Sequence, residues 1–239
     1  IEARFIKLLR QKLDNESLDV KIWMYDHSFI DTQRVLWSLE NCESLSEDCD
    51  GVAFHYYAGT IEQTRVIQKA FPNIELHFTE GGPRLTDHYD TDWCKWGLMI
   101  IKTLNNGYSS LTGWNLMLDE TGGPNIGPHY CGGLVTRNYT SGDLSYSGQY
   151  KAFKHFKNIT PLSRIYPLNF NHTGLCMFSY DRKVRLHTEG CVIENPSGST
   201  EIVLVNPSTE KEQIQYYHCD KWWYIEMLPN TAATIVFEE

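Results

Sequence analysis

The chain has 239 residues, 41% of them hydrophobic and 21% charged, so it can bury a sizeable core and does not have the composition of a disordered protein. Its formal net charge of −9 argues against a nucleic-acid or anionic-membrane binder, since such proteins carry clustered Lys and Arg. No apolar run approaches the roughly 20 residues that cross a bilayer, so we expect no transmembrane segment. The seven cysteines form no CxxC pair and no metal-ligand spacing, and we expect neither a metal nor a cofactor.

The first part of the chain alternates between two hydrophobic patterns. Amphipathic stretches with helical spacing cover residues 2–13, 31–42, 60–71 and 92–106. Short apolar runs typical of strands cover residues 20–26, 51–57, 74–80 and 110–116. Strands that alternate with helices in this way indicate βα units and a parallel sheet.

Polar side chains stand at the carboxyl ends of these predicted strands. They are Asp26, His55 with Tyr57, Glu80, and Trp114 with Asn115. In a (β/α)8 barrel the active site is built from strand carboxyl ends, with several strands each contributing a side chain. A doubly wound sheet also places ligands there, but no glycine-rich phosphate loop follows any of these strands. The sequence therefore favours a barrel.

The pattern changes after residue 160. Short β-prone runs cover residues 184–193, 201–206, 213–218, 222–227 and 232–237, with turn clusters between them and no helical pattern. This spacing is typical of an all-β sandwich. Residues 146–157 have the pattern of a last barrel helix leading into it. We predict a barrel region at 1–159 and a β-sandwich at 160–239.

Glu80 is the strongest catalytic candidate, because the glycine pair Gly81-Gly82 that follows it permits close approach of a ligand. A retaining glycosidase needs a nucleophilic carboxylate, donors to sugar hydroxyls and a stacking surface. The strand ends offer all three kinds of side chain.

Several segments carry a family resemblance. They are Lys21–His27 (KIWMYDH), Gly51–Tyr57 (GVAFHYY), Phe78–Gly81 (FTEG), Gly113–Leu116 (GWNL), Gly122–Asn125 (GGPN) and the turn Leu228–Thr231 (LPNT). In this order and spacing the chain resembles glycoside hydrolase family 30, which includes the glucosylceramidases and relatives that act on β-glucans and β-xylosides. The resemblance implies a (β/α)8 TIM barrel with a side β-sandwich and a retaining mechanism that uses two glutamates.

The resemblance also implies roles for the strand-end residues. Glu80 matches the catalytic nucleophile, and Tyr57 matches a tyrosine that orients the nucleophile and holds it ionised. His55 and Asp26 match residues that line the sugar site and can hydrogen-bond its hydroxyls. Trp114 matches the tryptophan that packs beside the sugar. The partner is then a carbohydrate or glycoconjugate substrate, and the resemblance suggests a secreted, periplasmic or lysosome-like compartment.

The chain departs from the family at the second glutamate. The family's acid/base lies in an Asn-Glu-Pro motif, and this sequence contains none. The match begins in the helix after that motif, so we expect the residue upstream of Ile1, in a missing N-terminal half of the same chain. Asp119 and Glu120 are expected to be loop residues rather than substitutes. We therefore expect the chain to be the second half of the barrel followed by the sandwich, inactive and poorly folded when isolated.

Other interpretations remain. The chain could be a non-catalytic carbohydrate-binding protein or a decayed enzyme, or the C-terminal sandwich could hold the sugar, although Trp222 and Trp223 are more simply interpreted as sheet packing. The acidic loop 87–92 lacks EF-hand spacing, and we expect it to be an exposed loop that caps the next helix. Nothing in the sequence identifies the sugar.

Overall fold

The computed structural model describes residues 1–124, 130–170 and 187–237. The helices are α1 (Glu2–Asn15), α2 (Thr32–Asn41), α3 (Leu45–Asp48), α4 (Arg65–Ala70), α5 (Trp93–Asn105) and α6 (Gly148–Phe153). The strands are β1 (Trp23–Ser28), β2 (Gly51–His55), β3 (Glu75–Glu80), β4 (Ser110–Leu111), β5 (Met117–Asp119), β6 (Val135–Arg137), β7 (Leu144–Tyr146), β8 (Arg164–Pro167), β9 (Glu189–Glu194), β10 (Thr200–Asn206), β11 (Glu212–His218), β12 (Lys221–Met227) and β13 (Thr231–Phe237). Short 3-10 turns lie at Phe29–Asp31, Ile61–Thr64 and Lys154–Phe156.

The chain divides into two compact units. The first consists of Ile1–Gly82 and Lys102–Leu116, and the second of the described residues within Pro83–Ile101 and Met117–Glu239. The predicted boundary between residues 159 and 160 stays a prediction.

The first unit is built on a parallel sheet in the order β1-β2-β3-β4, which is also the order of the strands along the chain. Side chains alternate across the two faces of each strand. One face is fully apolar and buried by the helices of this unit, and its members are Met24, Val52, Phe54, Leu76 and Phe78. Phe29, in the turn after β1, packs its ring 5.6 Å from that of Phe54 and 6.3 Å from that of Phe78.

The other face of this sheet is polar. Trp23 and His77 stack with ring centroids 3.6 Å apart and an interplanar angle of 17°. The Nδ1 atom of His77 lies 2.8 Å from the Ser110 hydroxyl, and its Nε2 atom lies 3.2 Å from a Glu75 carboxylate oxygen. Burial of the ring lowers the pKa of His77, which outweighs the opposite effect of Glu75. The neutral imidazole is therefore the form that this face favours.

The helical stretch predicted at 60–71 is two elements. A capping box at Thr60 and Gln63, in which each side chain bonds the other's backbone N–H, begins the 3-10 turn Ile61–Thr64. Helix α4 then continues from Arg65 to Ala70. The amphipathic pattern is continuous because Ile61, Thr64 and Ile67 all face the same buried side.

The second unit is rich in antiparallel sheet. Strands pair in the order β13-β10-β9-β8, and β11 pairs with β12 in a hairpin. Side chains of both sheets share one core, namely Val192, Ile202, Leu204 and Met227, packed against Ile214, Tyr216, Ile225, Ala233, Ile235 and Phe237. The predicted run 184–193 begins outside the described residues, and within them its strand is Glu189–Glu194.

Trp222 and Trp223, which the sequence predicts to pack in the sheet, are consecutive residues of β12 and lie on its two faces. The Trp223 ring lies 5.1 Å from that of Phe237, at 75°, and takes part in sheet packing as expected. Trp222 is 60% exposed on the other face, where its ring lies 5.2 Å from that of Tyr217. Each tryptophan therefore packs against an aromatic ring of the β-sheet region, Trp223 against Phe237 and Trp222 against Tyr217, its partner across the hairpin.

Two further differences from the predicted elements involve short strands. The run 110–116 forms a strand only at Ser110–Leu111, because the Trp114 N–H donates to the Gly81 carbonyl oxygen at 2.9 Å and Asn115 takes a left-handed φ of 62°. Strands β5, β6 and β7 form a small mixed sheet that no periodic pattern indicated, because each has three residues.

The described cysteines are Cys42, Cys49, Cys94, Cys131, Cys191 and Cys219, and all of them are free thiols; Cys176 lies outside the described residues. Among the described helices, none combines the length and the hydropathy needed to cross a membrane.

Candidate active site

A β-bulge in β1 directs Asp26 toward the neighbouring strand. In the pairing of β1 with β2, Tyr25 lies opposite Ala53 and His27 opposite Phe54, so Asp26 is the extra residue. Tyr25 and Asp26 have left-handed φ angles of 77° and 53°, which are uncommon for residues other than glycine. The sequence predicts Asp26 at the end of this strand, but β1 continues to Ser28. The direction of the Asp26 side chain is therefore set by the bulge and not by the end of the strand.

A second irregularity brings Glu80 opposite His55. Phe54 pairs with Phe78 and His55 with Glu80, so Thr79 is the extra residue in β3. If β3 were regular at Thr79, the alternation of side chains would place Glu80 on the buried apolar face with Phe78. The inserted residue therefore puts the Glu80 carboxylate on the same face as the His55 imidazole.

Three of the predicted site residues meet at this edge of the sheet. The His55 Nε2 atom lies 3.0 Å from Asp26 Oδ1, and its Nδ1 atom lies 3.8 Å from Glu80 Oε2. The His55 side chain is 11% exposed, that of Glu80 is 23% exposed and that of Asp26 is 64% exposed. The buried imidazole thus stands between a partly buried carboxylate and an open one.

Hydrogen bonds keep Asp26 ionised. The Thr79 hydroxyl donates to Asp26 Oδ1 at 2.7 Å, onto the same oxygen that faces His55. Partial burial is the largest single effect and acts to raise the pKa of Asp26, but the hydrogen bonds from Thr79 and His55 and the charge of His55 together lower it below its ordinary value. An ionised carboxylate only accepts hydrogen bonds, so His55 presents Nε2–H to Asp26.

Tyr57 and Trp114 lie beside this group with much of their surface open. The Tyr57 ring stands edge-on to the His55 ring at 6.1 Å and 87°, and the residue is 45% exposed. Trp114 is 39% exposed and is held next to β3 by its backbone hydrogen bond to Gly81. A Cβ atom on Gly82 would lie 3.0 Å from the Trp114 Cβ atom, so the absence of a side chain there lets Trp114 approach the strand end.

Two residues of this group, Thr79 and His27, are not predicted by the sequence. Thr79 binds Asp26 directly, and the His27 ring lies 6.0 Å from that of His55 in an edge-on arrangement. Thr79 adjoins Glu80, which was the one available signal, but regular alternation would have directed the two side chains to opposite faces.

The acidic loops predicted to lie outside the site are held by local hydrogen bonds in the second unit. Asp119 Oδ1 accepts from the Thr121 hydroxyl and from the backbone N–H groups of Thr121 and Gly123, and these bonds lower the pKa of Asp119. Glu120 accepts from the Tyr139 N–H at 2.7 Å. Both carboxylates therefore serve loop structure, as expected. Asn125, at the end of the GGPN motif, lies outside the described residues.

Asp92 directly precedes α5, near the position expected for a cap, but it is not exposed. Its side chain is 7% exposed, and Oδ2 accepts from the Trp96 indole N–H at 2.8 Å. Burial raises the pKa of the Asp92 carboxyl despite the nearby Lys95.

Within residues 1–124, 130–170 and 187–237, no group of three or more His, Cys, Asp or Glu side chains is arranged to hold a metal ion.

The carboxyl edge of the parallel sheet thus holds two carboxylates, an imidazole and aromatic rings. Together these groups can support attack on a sugar and binding of its hydroxyls.

The fold is that of glycoside hydrolase family 30 structures. SrfJ from Salmonella typhimurium superimposes with a TM-score of 0.80 at 22% identity over 97% of this chain and 50% of its own. A solved endo-β-1,6-glucanase gives 0.78 at 21% identity over 97% and 52%. The catalytic domain of the GH30 xylanase C of Talaromyces cellulolyticus gives 0.61 at 18% identity over 89% and 45%.

Sequence comparison leads to glycoside hydrolases as well. An endo-1,6-β-D-glucanase of Neurospora crassa is 27% identical over 150 residues, covering 60% of this chain and 30% of the relative. A putative glucosylceramidase of Caenorhabditis elegans is 29% identical over 130 residues, covering 51% of this chain and 25% of the relative. No family model matches the chain. The chain is thus similar to family 30 glycosidases in sequence and fold, and it spans a third or less of these curated relatives and about half of the solved structures.

Proposed function

We propose that this chain is the C-terminal portion of a retaining β-glycoside hydrolase resembling family 30, with Glu80 as the catalytic nucleophile. The observation that carries the proposal is the position of the Glu80 carboxylate, 3.8 Å from His55 Nδ1 at the carboxyl edge of a parallel sheet. The similarity to glycoside hydrolases supports the same reaction class.

The proposed architecture is the second half of a (β/α)8 barrel at residues 1–159, followed by a β-sandwich at residues 160–239. The parallel order β1-β2-β3-β4, with helices between the strands, supports the barrel half. The shared core of the sheet β13-β10-β9-β8 and the hairpin β11-β12 supports the sandwich.

The proposed reaction has two steps. A Glu80 carboxylate oxygen attacks the anomeric carbon, the bond from that carbon to the leaving-group oxygen breaks, and the leaving oxygen takes a proton from a carboxylic acid. Water then attacks the same carbon and gives its proton to that carboxylate, and the bond to Glu80 breaks. The product keeps the configuration of the substrate, and Glu80 is regenerated.

This mechanism needs a second carboxyl group about 5–5.5 Å from Glu80. Asp26 is bound through Oδ1 to Thr79 and His55, Asp119 is bound within its own loop, and Glu120 accepts from the Tyr139 N–H. We assign the acid/base to a part of the protein outside this chain, on the barrel strand that carries Asn-Glu-Pro in the family.

The other site residues bind the sugar in this proposal. Asp26 keeps Oδ2 open for a hydroxyl, since both of its hydrogen bonds use Oδ1. His55, at the end of β2, and Tyr57, two residues beyond it, contact the sugar, and the Tyr57 phenol orients the Glu80 carboxylate. The exposed Trp114 ring supplies an apolar face for the sugar ring.

The substrate class is a β-glucoside. One relative is named an endo-1,6-β-D-glucanase and another a putative glucosylceramidase, and the solved endo-β-1,6-glucanase is similar in fold. These names support a glucoside. β-1,6-glucan and a glucosyl lipid are therefore the two natural substrates to compare, with an aryl β-glucoside as the neutral probe.

The test uses the full-length product of the gene that encodes this chain. Glu80→Gln should lower kcat on an aryl β-glucoside by about 10⁴-fold or more, the scale of loss for a group that forms the covalent intermediate. A 2-deoxy-2-fluoro-β-glucoside should trap the glycosyl-enzyme, and peptide mass spectrometry should find the label on Glu80. Glu75→Gln is the matched control, since Glu75 is a carboxylate at the opposite end of the same strand.

Near-normal turnover by Glu80→Gln, or a label on another residue, would refute the assignment. A wild-type protein that binds glucan oligosaccharides without cleaving them would replace it with the non-catalytic carbohydrate-binding function.

A further inference from the structure

We infer that Thr79 is a positioning residue for the nucleophile, acting through Asp26 and His55. The inference rests on the proposed function, since it concerns how Glu80 is supported. Thr79 lies on β3 and Asp26 on β1, with β2 between them in the sheet. The Thr79 hydroxyl reaches across β2 to Asp26 Oδ1 at 2.7 Å, so a single hydroxyl links the two strands that flank β2, the strand that carries His55.

The direction of this hydrogen bond follows from its partners. Asp26 Oδ1 at 2.7 Å and the Phe54 carbonyl oxygen at 3.4 Å are both acceptors, so the hydroxyl must donate. It has one proton, and the shorter distance assigns that proton to Asp26. A hydrogen bond to a charged acceptor is also among the stronger ones in proteins.

Asp26 needs this anchor because its side chain is 64% exposed. The bulge fixes where its Cα atom lies, but the carboxylate can still rotate about the side-chain torsions. Among the described residues, the hydrogen bonds to this carboxylate come from Thr79 and His55. Thr79 therefore holds the oxygen that His55 uses.

Asp26 in turn determines which atom of His55 faces Glu80. The rings of His27 and Tyr57 lie 6.0 and 6.1 Å from the His55 ring and contact it edge-on, and such contacts are similar for either orientation of an imidazole. A half-turn of the ring would place a carbon atom, instead of Nδ1, toward Glu80. The bond from Nε2–H to Asp26 selects the orientation in which Nδ1 lies 3.8 Å from Glu80 Oε2.

The same arrangement explains the extra residue in β3. That residue moves Glu80 to the face of His55, and its own side chain supplies the hydroxyl that orients His55. One irregularity of the strand thus places the nucleophile and provides the anchor for its neighbour.

The test compares Thr79→Val, which removes the hydroxyl at nearly constant volume, with Thr79→Ser, which keeps it, in the full-length protein. On an aryl β-glucoside, Thr79→Val should lower kcat about tenfold or more, because the hydrogen bond to the charged Asp26 that orients His55 toward Glu80 is lost. Thr79→Ser should retain most of kcat. A purely structural role for the side chain would not separate the two variants in this way.

Thr64→Val is the matched control. The Thr64 hydroxyl likewise makes a hydrogen bond of 2.7 Å, to the Ile61 carbonyl oxygen, but Thr64 is buried in the turn before α4 and does not contact the site. This variant should lose stability and keep its kcat.

A double-mutant cycle and a spectrum complete the test. Since Thr79 acts through Asp26, the combined variant Thr79→Val, Asp26→Asn should have the same kcat as Asp26→Asn alone. The ¹⁵N signals of the His55 ring should report Nε2–H in the wild type and a mixture of tautomers in Thr79→Val.

A wild-type kcat in Thr79→Val, or losses that add in the double variant, would overturn the inference. If Glu80→Gln is inactive while Thr79→Val is unaffected, the inference about Thr79 fails and the proposed function stands; an active Glu80→Gln defeats the proposed function itself.

Discussion

Gly81 directly follows the proposed nucleophile, and adding one methyl group there tests how tightly the strand end is held. A Cβ atom on Gly81 would lie 2.7 Å from Phe78 Cζ and 2.9 Å from Tyr56 Cδ1. Ordinary van der Waals contact begins at 3.4 Å, so a ring or the backbone would have to move by about 0.7 Å. Phe78 is fully buried in the core of the first unit and cannot yield, so the movement falls on the chain around Glu80.

Gly81→Ala should therefore affect both stability and catalysis. Overpacking of this kind costs about 1–3 kcal/mol in the free energy of unfolding. A displacement approaching 1 Å at the reacting group costs up to about 100-fold in rate, so kcat/KM should fall at least tenfold. Urea unfolding followed by fluorescence gives the first quantity, and hydrolysis of an aryl β-glucoside by the full-length protein gives the second.

Gly142→Ala separates the two effects. Gly142 has a φ of 77° and no neighbour within 4 Å of its added Cβ atom, so alanine there is strained but meets no contact. It should lower stability by about 1 kcal/mol and leave kcat/KM unchanged. If Gly81→Ala has wild-type stability and wild-type kcat/KM, the steric argument for the strand end is wrong; if its kcat/KM falls no more than that of Gly142→Ala, the loss does not come from Glu80.

Two other predictions concern stability. Burial lowers the pKa of His77 in the folded state, so the unfolded chain binds more protons as pH falls through the ordinary histidine range near 6.5. The free energy of unfolding should therefore decrease from pH 7.5 to 5.5. Urea titrations at these two pH values should show a smaller decrease for His77→Gln, and an equal decrease would contradict an origin in His77. In the second unit, a Cβ atom on Gly97 would lie 2.8 Å from Val205 Cγ2, so Gly97→Ala should cost about 1–3 kcal/mol. When Gly97→Ala is combined with Val205→Ala, the loss of unfolding free energy should be smaller than the sum of the two single losses, because the smaller side chain removes the clash. Losses that simply add would exclude the clash.

The order of elements predicts that His55 and Glu80 lie at one edge of the sheet, because they end neighbouring parallel strands and the carboxyl ends of such strands meet there. It does not predict that both side chains lie on the same face, which depends on the extra residue Thr79.

Features that depend on irregular register could not be predicted. Asp26 and Thr79 are extra residues in their strands, and a bulge is set by packing against the neighbouring strand rather than by local composition. The predicted strand 110–116 ends at Leu111 because of a hydrogen bond between Trp114 and Gly81, residues far apart in the sequence. Three-residue strands such as β6 are too short to produce a periodic signal at all.

The two consecutive left-handed residues in β1 have a consequence for how this protein can evolve or be engineered. Tyr25 and Asp26 each hold a backbone conformation that costs a residue with a side chain about 1–3 kcal/mol. The conformation is sustained by contacts from elsewhere, including the Glu2 carboxylate, which accepts from the Tyr25 N–H at 2.7 Å. Glycine at position 25 would relieve the strain, but it would also remove the Tyr25 ring, which lies 5.4 Å from that of Phe54, and the phenol that donates to the Ser28 carbonyl oxygen. The strained backbone and the contacts of the Tyr25 side chain are therefore retained together, and a stabilised variant should be sought among substitutions that leave the bulge untouched.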